Sequence, residues 1–167
     1  MNPLNPDTLP PFSISCVFKA APERLWKAWT EPDELRQWWG PKGSTVEKLD
    51  LDLVPGGVQH YHLTFPDGRG MWGRSVYREV TPPQKLQFVN SFSNAEGGVT
   101  RHPAVADWPL AMLTTVSFRP CEGGCAVWIE CVPVDPTEAE RKTFEGSHDL
   151  LRGGWTGSLK RLAEWIG

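Results

Sequence analysis

Hydrophobic and polar residues alternate along this chain with two different periods. Phe12, Ile14, Cys16 and Phe18 occupy every second position, separated by Ser13, Ser15 and Val17. A period of two predicts a half-buried strand. Pro22 suits the first turn of a helix, and Leu25, Ala28 and Trp29 recur at three and four, so residues 22–30 are expected to form a short amphipathic helix. Pro32 should stop it. Asp33 is expected to cap a second short helix, in which Leu35, Trp38 and Trp39 repeat the spacing before Gly40-Pro41 ends it.

Strand-like segments follow, divided by turn chemistry. Thr45 to Val54 runs into Pro55-Gly56-Gly57, and Val58 to Phe65 into Pro66-Asp67-Gly68. Met71 to Val80 ends at Pro82-Pro83, and Lys85 to Phe92 enters a long loop from Asn94 to Pro109. That loop is either a lid or a disordered excursion. Leu110 to Arg119 turns at Glu122-Gly123-Gly124 into Ala126 to Val132. Short strands joined by tight turns imply an antiparallel meander.

Thr137 and Glu140 form a capping box, after which Phe144, His148, Leu151, Trp155, Leu159, Leu162 and Ile166 recur at three and four. One helix of nearly thirty residues is expected, about 40 Å long. Gly146, Gly153, Gly154 and Gly157 interrupt it, each weakening it by about 1 kcal/mol relative to Ala. Close approach to the sheet or a kink would account for them. The pattern predicts an α+β helix-grip domain over 1–167. A curved antiparallel sheet of six to seven strands surrounds a long C-terminal helix, with two short helices after the first strand. A sheet gripping a helix at its ends leaves a gap in the middle, the expected ligand cavity.

Composition narrows the function. The net charge is −3, with 40% apolar and 22% charged residues, and no basic stripe for nucleic acid. No apolar run reaches the ~20 residues of a membrane helix. Met1 to Pro11 is read as a flexible segment that lacks the features of a signal peptide, which points to the cytoplasm. Cys16, Cys121, Cys125 and Cys131 are expected as free thiols there, although Cys121 and Cys125 flank a hairpin tip where they could bridge. Their spacing is not that of structural zinc. Nine tryptophans suggest a large interior, a cavity wall or a sticky rim.

The segment from Ala21 to Pro41, with its Leu25-Trp26, Trp29-Thr30-Glu31-Pro32 and Trp38-Trp39-Gly40-Pro41, closely resembles the opening of the SRPBCC superfamily. Within it, the chain is similar to the family named after the activator of the ninety-kilodalton heat-shock protein's ATPase. Pro55-Gly56-Gly57, Pro66-Asp67-Gly68, Glu79-Val80-Thr81-Pro82-Pro83, Thr115-Val116-Ser117-Phe118 and Gly154-Trp155 fall in that family's order. The resemblance runs from Phe12 onward and implies a START-like, birch-pollen-allergen-like fold. Relatives include lipid and hormone carriers, cyclases and aromatases, and co-chaperones, so fold alone does not fix function.

The leading expectation is binding of a small hydrophobic or aromatic molecule, with no cofactor, no metal and no evident catalysis. The alternatives are a chaperone regulator and a small cyclase, aromatase or hydrolase using His148 with Asn90 or Glu79. A homodimer through a sheet edge or the Trp-rich rim is a further possible partner state. The candidate ligand-binding residues are Trp38, Trp39, Tyr61, Leu63, Phe88, Asn90, Met112, His148, Leu151 and Trp155. Trp38 and Trp39 either line the cavity mouth or anchor the barrel end. His148 lies on the apolar stripe, where a core role satisfied by a backbone carbonyl competes with ligand contact. Asn90 shares its face with Leu86, Phe88 and Phe92, so its amide needs a partner: a ligand, a water or a neighbouring strand. His60 and His62 share the face opposite Tyr61, Leu63 and Phe65, which puts them outside.

Overall fold

A computed structural model describes residues 9–167; the reading of residues 1–8 as a flexible segment lies outside the described residues. Leu9, from the same predicted segment, is buried in the core. The chain runs β1 (Phe12–Phe18), α1 (Pro22–Thr30), α2 (Pro32–Trp38), β2 (Thr45–Leu51), β3 (Val58–Thr64), β4 (Gly70–Thr81), β5 (Lys85–Ser93), β6 (Val99–Thr100), β7 (Met112–Cys121), β8 (Gly124–Pro133), α3 (Glu138–Glu145) and α4 (His148–Ile166). The strands form one antiparallel sheet ordered β1-β8-β7-β5-β4-β3-β2, with the two-residue β6 beside β5. This is the expected helix-grip arrangement, with the short β6 as an eighth strand.

Period-two burial sets the inner face. Phe12 pairs with Cys131 and Ile14 with Ile129, while Leu86, Phe88 and Asn90 pair with Val116, Thr114 and Met112. The poor alternation of β4 has a cause: the register shifts between Tyr77 and Glu79, so two residues meet one across the ladder. Gly73 opposes Tyr61, and a Cβ there would lie 2.4 Å from the Tyr61 ring. The glycine makes the room in which the phenol crosses β4.

The two short helices meet at one residue. Glu31 caps the end of α1 and the start of α2, and Pro32 occupies the first turn of α2. Pro32 therefore starts a helix as well as stopping one, and Asp33 sits inside the first turn rather than at the cap. Trp38 is fully buried, its indole N–H donating to the Ala28 carbonyl at 2.9 Å. Its ring meets Trp29 edge-on at 4.7 Å, and Trp29 stacks on Trp155 of α4 at 6.1 Å. Such pairs add about 0.5–1.5 kcal/mol each beyond the area they bury.

The long C-terminal helix is broken. Gly146 caps α3 and Ser147 precedes α4, although the apolar stripe runs through both. Only half of the capping box forms. Thr137 accepts from the Glu140 backbone N–H at 3.1 Å, but the Glu140 carboxylate turns to Arg101 at 3.0 Å and the Leu110 N–H at 3.4 Å. Glu140 is buried, and it ties the 94–109 loop to α3.

Candidate functional site

Between the inner face of the sheet and the N-terminal half of α4 lies a cavity of about 460 Å³. Its floor is Tyr61, Met71, Phe88, Asn90, Phe92, Met112, Thr114 and Cys131. Its roof is Ser147 with Leu150, Leu151, Gly154, Trp155 and Ser158 of α4. Trp39, Gly40 and Pro41 close one side, and His102, Val105 and Trp108 of the long loop close the other. A recess of about 100 Å³ shares Tyr61, Met71, Asn90, Phe92, Trp108 and Met112 with the cavity. No Asp, Glu, Lys or Arg is among the described lining residues.

The α2–β2 side is built rigidly. Arg161 donates to the carbonyls of Gly40, Pro41 and Ser44 at 3.1, 2.9 and 3.1 Å, and Ser158 donates to Gly40 at 3.0 Å. One planar guanidinium thereby fixes three carbonyls of the loop against α4. Gly40 has φ +99°, and a Cβ there would meet Ser44 Oγ at 2.7 Å and Leu63 Cδ1 at 2.9 Å, so the turn demands glycine.

A polar chain crosses the floor. Thr114 Oγ1–H donates to Asn90 Oδ1 at 2.7 Å and lies 3.5 Å from Cys131 Sγ. Burial pushes the Cys131 thiol up to about 11. Desolvation holds the Tyr61 phenol above its ordinary range, and Trp39 meets its ring edge-on at 5.8 Å. His102 Nδ1 accepts from the backbone N–H groups of Ala104 at 2.9 Å and Val105 at 3.0 Å. Burial lowers its pKa, so the ring is neutral with its hydrogen on Nε2.

Residues 19–167 match the family described as activator of Hsp90 ATPase homolog 1-like protein. The chain belongs to that family. No curated protein matches it. Among solved structures it resembles a protein of Nitrosomonas europaea, at 22% identity and TM-score 0.73 over 93% of both chains. An Arthrobacter aurescens protein gives 23% and 0.74, over 93% of this chain and 85% of that one. The AHSA1 protein of Silicibacter pomeroyi gives 22% and 0.68, over 93% and 96%. At these identities the likeness establishes the helix-grip fold of the activator-like family and says nothing of a ligand.

Of the ten candidate residues of this activator-like domain, seven line the cavity: Trp39, Tyr61, Phe88, Asn90, Met112, Leu151 and Trp155. Three do not. Trp38 turns fully into the core, where its ring meets Trp39 edge-on at 5.5 Å. Leu63 shares a face with Tyr61 but lies under the Gly40 turn, which seals it from the cavity. His148 is wedged edge-on between Phe12 at 5.8 Å and Phe144 at 5.0 Å, and its Nε2 is buried without a hydrogen-bond partner, backbone carbonyls included. Neither pair proposed for catalysis, His148 with Asn90 or His148 with Glu79, is assembled at the cavity: Asn90 lines it without His148, and Glu79 is half-buried outside it and paired with Lys85 at 3.3 Å.

Met71, Phe92, His102, Val105, Trp108, Thr114 and Cys131 were not among the candidates. Thr114 was the most accessible of these, since it shares the inner face of β7 with Met112. His60 and His62 sit outside, as the alternation implies, each stacked on Trp72, at 4.9 and 4.3 Å. Among the described residues, no group of three His, Cys, Asp or Glu is placed to hold a metal. The four cysteines are free, with Cys121 exposed and Cys125 buried. No described helix is long and apolar enough to cross a membrane.

Proposed function

We propose that this protein binds a small apolar or aromatic molecule in the cavity beneath α4. The observation that carries this reading is the cavity itself: about 460 Å³, lined without a charged side chain and walled by aromatic rings. That volume and character suit a small-molecule site, and desolvation of an apolar ligand is the driving force. Leu150 and Val105 are exposed at its rim, which supports entry between α4 and the long loop. Seven of the ten sequence candidates would contact such a ligand from the cavity wall, chief among them Trp39, Phe88 and Trp155.

A thermal-shift screen with sterols, lipids, flavonoids and fused aromatic compounds tests this. A compound at a hundred times its dissociation constant adds about 2.7 kcal/mol. That corresponds to a rise of roughly 5–11 °C in a domain of this size. Gly154→Leu should abolish the shift, since its side chain extends into the cavity from a helix position with nothing within 4 Å of the Cβ. Silence across the screen overturns the reading.

The family match supports a second reading, regulation of a chaperone. It predicts that the purified protein accelerates the ATPase of a ninety-kilodalton heat-shock chaperone. An unchanged rate sets it aside.

A further inference from the structure

The polar groups of the cavity are not a random scatter. Several side-chain hydrogens can be followed to their acceptors. Thr114 has one hydroxyl hydrogen, and it goes to Asn90 Oδ1 at 2.7 Å. The contact between Thr114 Oγ1 and Cys131 Sγ at 3.5 Å must therefore be donated by the thiol. The chain has one direction: Cys131 to Thr114, Thr114 to Asn90. Its last member lines the cavity and accepts through Oδ1, which leaves its Nδ2 hydrogens to donate. Bonds aligned in series polarise one another, which strengthens the terminal donor.

A second donor meets it. Trp39 meets the Tyr61 ring edge-on at 5.8 Å, and the phenol hydroxyl carries one hydrogen to donate. The Tyr61 ring crosses β4 over Gly73, toward β5, which carries Asn90. Tyr61 and Asn90 both line the 100 Å³ recess. Across the cavity, His102 keeps its hydrogen on Nε2 because Nδ1 holds two backbone N–H groups. The two serines offer no free hydrogen, since Ser147 donates to Thr143 at 2.5 Å and Ser158 to Gly40 at 3.0 Å. The site is rich in donors, and no cation is present to neutralise an anion.

We infer that the cavity selects neutral ligands carrying a hydrogen-bond acceptor, a carbonyl oxygen above all, which Asn90 and Tyr61 hold in the recess while the carbon skeleton lies under Trp39 and Trp155. This rests on the reading of the cavity as a ligand site. A carboxylate is disfavoured, because a buried charge without a counter-ion carries a large desolvation cost. A pure hydrocarbon leaves both donors without partners, which also weakens binding.

The experiment compares three probes of one skeleton: 9-fluorenone, fluorene and fluorene-9-carboxylate, titrated calorimetrically at pH 7. Fluorenone is expected to bind about tenfold more tightly than fluorene, and the carboxylate more weakly than either. In wild type the carbonyl stretch of bound fluorenone moves to lower wavenumber than in hydrocarbon solvent. Tyr61→Phe and Asn90→Leu should each shrink the ketone's advantage over fluorene and reverse part of that shift. Equal binding of ketone and hydrocarbon, or preference for the carboxylate, overturns the inference and leaves the cavity reading standing. Failure of both fluorene and fluorenone to bind overturns both.

Discussion

The two halves of α4 share one apolar stripe and meet opposite fates. Toward the C-terminus, Leu159 and Leu162 are buried, and Arg161 anchors the α2–β2 loop. Toward the N-terminus, Leu150 is 71% exposed, and Gly153, Gly154 and Gly157 have nothing within 4 Å of where a Cβ would stand. The C-terminal half is a core helix, and the N-terminal half is a roof over empty volume. Of the two accounts of the glycines, a break in the helix holds at Gly146, while Gly154 lines the cavity instead of approaching the sheet. Periodicity identifies the face a helix turns inward, but it does not distinguish a filled interior from a hollow one.

Truncations should separate the halves most strongly. Leu162→Ala is expected to cost about 2–5 kcal/mol, because it empties a fully packed site. Leu150→Ala should change stability by less than about 0.5 kcal/mol. Urea denaturation of the two variants checks this, and equal losses would dissolve the distinction between core and roof.

The cavity floor makes a pH prediction. Cys131 titrates at about 11 when folded, against an ordinary value of 9.0. The unfolded chain therefore releases this proton first. The stabilisation is complete below pH 9 and disappears as pH rises toward 11, a loss of up to about 2–3 kcal/mol. Melting temperature against pH, with Cys131→Ala as the comparison, reads it. A cavity freely bathed in water would hold this thiol near its ordinary value, and the two proteins would then fall in parallel.

Two glycines sharpen the contrast further. Gly73→Ala should destabilise by about 1–2 kcal/mol, since its Cβ would run into the Tyr61 ring. Gly154→Ala should stabilise by about 1 kcal/mol, through helix propensity alone. The same substitution thus has opposite signs on floor and roof. Thermal melts of the pair suffice.

These cases also mark how far the sequence could be read. Strand faces were legible, because alternation forces Phe88, Asn90 and Met112 to one side. The order of elements was legible from Pro and Gly punctuation. The break at Gly146–Ser147 was not, because Phe144, His148 and Leu151 keep helical spacing across it. His148 was misplaced for a related reason: spacing puts it on the inward stripe, but only the tertiary fold sets Phe12 and Phe144 against it. Trp38 and Trp39 are adjacent and alike in type, and which one faces the cavity depends on where α2 ends. His102, Val105 and Trp108 come from an irregular loop with no period to read, and the buried Glu140 that places them lies far along the chain.

The most direct test of the account is amide hydrogen exchange along α4, with and without fluorene. The account predicts slower exchange on ligand addition in residues 148–158 and in the 101–109 loop. Residues 159–166, already packed, should hardly change. Uniform protection of the helix, or protection confined to the outer face of the sheet around Trp72, would contradict a ligand site beneath the N-terminal half of α4.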